Sequence, residues 1–230
     1  MARIRQVSQP DRVRSVNAFL STSLNDYLAA RALFLAELPQ QAAILSSTAI
    51  EKACKAVLAF HGNESRGHLK KAHWNAVRAF DPNLFRRFDP EFFALNQKAY
   101  LLRYTDDLPP GFNLVIASRE YLAALDETLM HFHQSFTTNS GGAYKNNLDR
   151  LVQQGDSRAV AQNHIVTGED KHEFTYSVPQ YVYEARYQPS HGLLEVEYWS
   201  AGPPRKTGFL REGCRVTNVE KSIFEFSHFP

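Results

Sequence analysis

A change of hydrophobic period partway along the chain constrains its fold more than any other feature. Upstream of a Thr/Asn/Ser/Gly tract at residues 137–142, apolar residues recur every three to four positions. Beyond about residue 174 they gather in short β-branched and aromatic runs with partial alternation. A period near 3.6 buries one stripe of a helix, and a period of two buries one face of a strand. Helices followed by strands give an α+β class, not alternating βαβ units. A length of 230 residues accommodates one large domain or two small ones. The expected division is an up-and-down helical bundle over 1–136, a linker over 137–144, and a small domain with an antiparallel β-meander over 145–230.

In the helical part, Ser21 or Ser23 is placed as the cap of a helix running to Leu38, with Leu24, Tyr27, Leu28 and Leu35 on one side. A short helix over 11–20 precedes it, and Pro39 breaks it. A second helix covers about 41–61, with Ile50, Cys54, Val57 and Leu58 on a buried stripe. Small residues at Ala43, Ser47 and Ala53 let a neighbour come close, and Gly62 is the stop. A third helix spans about 68–80. Asp81-Pro82 and Asp89-Pro90 each read as a capping acid followed by a first-turn proline. Residues 105–111 form a loop, and a last long helix runs from about Val115 to Phe136. In the second part, a helical piece is expected at 145–154. Strands are expected at 174–178, 181–187, 193–199 and 216–226, with a hairpin connection at 188–192.

Charge and composition narrow the function classes. The net charge is +2, and residues 1–135 hold 16 of the 26 basic and 13 of the 24 acidic side chains. That is not the strong excess of a duplex-DNA binder, although a local anion site needs only a few residues. No stretch approaches the ~20 apolar residues of a membrane helix. No apolar signal core follows Met1, so the expected location is the cytoplasm. Cys54 and Cys214 supply neither a disulfide framework nor a zinc set.

Three stretches of the helical part carry a family resemblance. They are Ala49-Ile50-Glu51-Lys52-Ala53-Cys54-Lys55-Ala56-Val57-Leu58, then Gly67-His68-Leu69, then Arg103-Tyr104-Thr105-Asp106. In this order they resemble the HEPN family of four- to five-helix bundles over about residues 21–135, with Thr105 where the family has proline. The resemblance implies a bundle that works as a homodimer and recognises a nucleotide, RNA or protein partner, in some members beside a separate nucleotidyltransferase. The family's ribonucleases carry an Arg followed after four to six residues by a His at the start of a late helix. Neither Arg103 nor Arg119 has one, so the resemblance is to a non-catalytic binding subgroup. The alternatives are a metal-independent RNA-cleaving enzyme using Arg66 and His73, and a structural adaptor docking a partner through its β part.

The expected ligand-binding set is Arg66, His68, Lys71, Arg103, Tyr104 and Asp106. Basic groups there gather at the start of the third helix, where free N–H groups and the helix dipole favour phosphate. No catalytic residue, metal ligand or cofactor is assigned. Glu51 and Lys55 are read as an i,i+4 pair on a solvated face. His131 and His133 point to different faces, Asp106 and Asp107 read as loop caps, and Cys54 as a core residue. Cys214, near Arg211 and Arg215, has no partner histidine that sequence can place. Tyr181, Tyr183, Tyr187, Tyr198 and Trp199 are read mainly as sheet residues, with base stacking as the other reading.

Overall fold

The computed structural model describes residues 10–63, 67–136, 146–177 and 179–201. Helix α1 (Pro10–Leu35) opens on a proline, whose missing N–H costs nothing in a first turn, and runs unbroken for 26 residues. Ser21 and Ser23 therefore lie inside the helix and do not cap it. The Ser23 hydroxyl donates to the Ala49 carbonyl of the next helix at 2.8 Å, so the signal taken for a cap is an interhelical tie.

The chain reverses through residues 36–38. The Leu38 N–H donates to the Leu33 carbonyl at 2.9 Å and the Glu37 N–H to the Phe34 carbonyl at 3.2 Å. This is the closing motif that usually places glycine in the left-handed region, and here Glu37 stands there with φ 59°. Pro39 then opens α2 (Pro39–Phe60). Ala42, Ala43, Ser46, Ser47, Ala49, Ala53 and Ala56 of α2 are fully buried, so α1 packs closely along it. Gly62 ends α2 by the same motif at φ 74°, with Asn63 N–H donating to the Leu58 carbonyl at 2.9 Å. A Cβ at Gly62 would lie 2.7 Å from the Arg12 guanidinium.

Helices α3 (Lys71–Phe80), α4 (Pro82–Phe85) and α5 (Pro90–Ala99) follow. Asp81 accepts from the Leu84 N–H at 2.9 Å and Asp89 from the Glu91 N–H at 2.8 Å, so both Asp-Pro pairs start helices as expected. Two 3₁₀ turns, Tyr100–Arg103 and Thr105–Asp107, lead to strand β1 (Asn113–Ala117) and helix α6 (Ser118–Gln134). The last long helix thus begins three residues later than expected. All five residues of β1 are buried, and a strand covered on both faces shows the same unbroken apolar run as a buried helix.

Short helices α7 (Asn147–Gln153), α8 (Ser157–Val160), α9 (His164–Thr167) and α10 (Lys171–Tyr176) fill the next segment. Of the strand expected at 174–178, residues 174–176 are instead the end of α10, and Val178 lies outside the described residues. Asp170 accepts from the His172 and Glu173 N–H groups and starts a helix that the aromatic residues alone disguise. Strands β2 (Gln180–Gln188) and β3 (Gly192–Ser200) complete one antiparallel sheet in the order β1-β2-β3. Gln188 pairs with Gly192, leaving Pro189, Ser190 and His191 as the hairpin connection.

The molecule is therefore α+β, mostly helical with a small antiparallel sheet. The sheet crosses the expected boundary at 137–144, because β1 pairs with β2 from Asn113↔Arg186 to Ala117↔Val182. The core crosses it too, since Leu148, Ala159, Phe174 and Tyr183 cluster with Tyr27, Ile50, Phe92 and Leu125. A buried polar tie joins the same parts. Asp126 of α6 accepts from the Tyr27 hydroxyl at 2.8 Å and pairs with Arg31, all three fully buried. Arg31 also donates to the carbonyls of Arg158, at 2.8 Å, and Ala161. A second network sets Ser46, Asn96 and Tyr121 together, with Tyr121 Oη donating to Asn96 Oδ1 at 2.7 Å. The linker 137–144, the strand at 216–226 and Cys214 lie outside the described residues. Among the described residues, no helix is long and apolar enough to cross a membrane.

Candidate functional site

The middle of α2, the loop ahead of α3 and the 3₁₀ turn after α5 meet in one cluster. Glu51 and Lys55, four apart on α2, stand over one another. Lys55 Nζ donates to Glu51 Oε1 at 2.7 Å and to the Gly67 carbonyl at 2.8 Å. Glu51 is only 7% exposed, so the face read as solvated is roofed by this loop. Gly67 holds φ 91°, a left-handed conformation that glycine adopts without steric cost. Leu69 is buried in the core and anchors the loop.

Between these anchors His68 lies over Glu51, with its Nδ1 3.7 Å from Glu51 Oε2. That oxygen is buried and accepts no hydrogen bond. The separation is too long for one. The outer part of the imidazole is open, the side chain being 58% exposed. Its ring stacks on Tyr100 with centroids 4.5 Å apart. Arg103 Nη1 donates to Tyr100 Oη at 3.3 Å, and its guanidinium lies 5.2 Å from the Tyr100 ring centre and 5.9 Å from that of Tyr104. Burial pushes the Tyr100 hydroxyl up, with Arg103 pulling against it. Tyr104 is half exposed at 51%.

His68, Arg103 and Tyr104 of the expected set thus come together. Lys71 and Asp106 are exposed, and Arg66 lies outside the described residues. Sequence reasoning missed Tyr100 and placed Glu51 in solvent. The available signal for Tyr100 was its spacing, four residues from Tyr104 with Arg103 between them. His73 is buried, with Nδ1 accepting the Lys70 N–H at 3.0 Å, and burial lowers its basicity.

The other candidates lie elsewhere in the fold or on its surface. His133 is buried and pushed down to about 4, while His131 Nδ1 lies 3.5 Å from Arg87 on a different face. Asp106 and Asp107 are exposed in a 3₁₀ turn, and burial pushes the Cys54 thiol up. On the sheet, Tyr181 donates to Glu197 at 2.5 Å, Tyr183 to Glu195 at 2.5 Å and Tyr198 to Glu184 at 2.6 Å. Carboxylates beside each phenol make that sheet a poor surface for a phosphate backbone. Among the described residues, no group of three or more His, Cys, Asp or Glu is placed to hold a metal ion.

The cluster on α2 and its neighbours sets a cation beside an exposed aromatic plane, with Lys55 holding one oxygen of its buried carboxylate and the other left without a donor. No protein-family model, no curated protein and no solved structure matches the chain.

Proposed function

We propose that the protein is a binding module for nucleotides or single-stranded RNA, with Arg103 and His68 meeting a phosphate and Tyr104 stacking on a base. The observation that carries this reading is the Arg103 guanidinium lying against both Tyr100 and the half-exposed Tyr104, beside the open edge of His68. Stacking on an aromatic ring is worth about 1–3 kcal/mol per base and tolerates any base, so the module selects single strands over a duplex. The HEPN-like pattern of the helical part supports the same reading, and with it a homodimer as the working form.

The test is fluorescence anisotropy of a labelled short oligoadenylate with the whole chain at low salt. Binding should weaken steeply with added salt, because neutralised phosphates release counterions. A Tyr104→Ala variant should lose roughly tenfold in affinity or more, and adding Arg103→Ala should reduce the salt slope. Undetectable binding at low salt, or equal binding by the double variant, overturns the reading.

A further inference from the structure

We infer that His68 captures the phosphate as an imidazolium braced from within by Glu51, so that ligand binding takes up a proton. The inference rests on the reading that this surface takes a phosphate, and adds how the capture is regulated. Its starting point is the buried Glu51 Oε2, which accepts no hydrogen bond while Oε1 is held by Lys55. A buried acceptor left without a donor is costly. The group facing it is His68 Nδ1, at 3.7 Å.

A neutral imidazole has one N–H, and an imidazolium has two. Protonated His68 donates through Nδ1 to Glu51 Oε2 and through Nε2 outward to a phosphate oxygen. The proton comes from solvent and no covalent bond changes. In this arrangement Glu51 is a positioning residue, because it touches the imidazole and not the ligand.

Among the described residues, the charged and titratable groups around His68 come from three elements. The basic ones are Lys55 on α2, Lys70 at the start of α3 and Arg103 on the 3₁₀ turn. Tyr100 and Tyr104 stand on the same turn, and burial pushes the Tyr100 hydroxyl up. His73 is buried, its Nδ1 accepts the Lys70 N–H, and burial lowers its basicity. Glu51 is the single carboxylate among these described neighbours. Imidazole is the side chain that ordinarily changes charge between about pH 5 and 8.

The experiment is titration calorimetry of a short oligoadenylate into the whole chain at fixed salt, in buffers of different ionisation enthalpy, between about pH 6 and 8. The internal phosphodiesters of this probe do not change charge there. The expected result is proton uptake on binding, with affinity rising towards acid by up to about tenfold per pH unit, the limit for one coupled proton. Glu51→Gln should still bind but show little uptake and a flat pH profile, and His68→Gln should behave likewise. Normal binding without proton uptake overturns the inference and leaves the proposed function standing. Uptake that persists in His68→Gln overturns it too. Absence of binding at every pH overturns both. The proton count on the unmodified chain needs no variant to fold.

Discussion

Replacing Asp126 by alanine tests the tie between the first helix and the segment beyond residue 146. Arg31 and Asp126 pair with both side chains fully buried, and Tyr27 Oη donates to the same carboxylate at 2.8 Å. Removing Asp126 strands a guanidinium in the core, which costs about 3–5 kcal/mol. It also deprives a buried phenol of its acceptor, which costs about 1 kcal/mol more. The total, about 4–6 kcal/mol, is a large share of the roughly 5–15 kcal/mol that holds a domain folded. The pair itself is less valuable than its breakage is costly. Arg31→Met combined with Asp126→Leu should therefore be about 2 kcal/mol or more stabler than Asp126→Ala alone. Urea unfolding, with midpoints compared at constant slope, measures both. A loss below about 1 kcal/mol in Asp126→Ala, or a double variant no better than the single one, would refute the reasoning.

Other expected outcomes follow from buried groups elsewhere. His133 is pushed down to about 4 by burial, so the unfolded chain binds the extra proton first as pH falls. Stability should then drop by up to about 3 kcal/mol between the ordinary imidazole range and pH 4. Melting temperatures across that window should show the acid limb, and His133→Leu should flatten it. Asn163 accepts from the Ile165 and Val166 N–H groups and donates to the Ala159 carbonyl at 2.9 Å. Asn163→Ala should cost about 1–2 kcal/mol and speed amide exchange at those two residues. Tyr121→Phe removes the donor to Asn96 inside the core, and should lower stability by about 1–3 kcal/mol in chemical denaturation while leaving oligoadenylate binding intact.

The parts of the fold that sequence revealed are those set by local chemistry. Pro39, Gly62, Asp81-Pro82 and Asp89-Pro90 act within a turn of where they stand, and each marks a real helix boundary. The misplacements arose where distant packing decides. Ser23 satisfies its hydroxyl on the neighbouring helix, so it needs no cap position. Strand β1 is covered on both faces, which erases the alternation that would mark it. At Phe174 and Tyr176 the cause is local instead: the residues look like strand until Asp170 is recognised as a cap. At the candidate site, the Glu51–Lys55 spacing was legible and its burial was not, because it depends on the loop after α2 folding back over the helix. Tyr100 joins His68 only through the tertiary fold, and no local pattern announces that contact.

The pairing of β1 with β2 also bears on how the chain is made and how it can be divided. On the ribosome, β1 emerges with α6 close behind it and must wait through four short helices for its partner strand. During that interval the nascent chain bares an apolar strand edge of the kind that recruits chaperones or aggregates. The same geometry governs fragments. Two polypeptides cut between Phe136 and Asn146 would each carry part of one core, and the first would carry a strand without its neighbour. Expressed alone they should be poorly soluble. Refolded together they should reassemble into a nicked molecule, because the contacts that join them lie in the sheet and around Arg31 and not in the severed peptide bond.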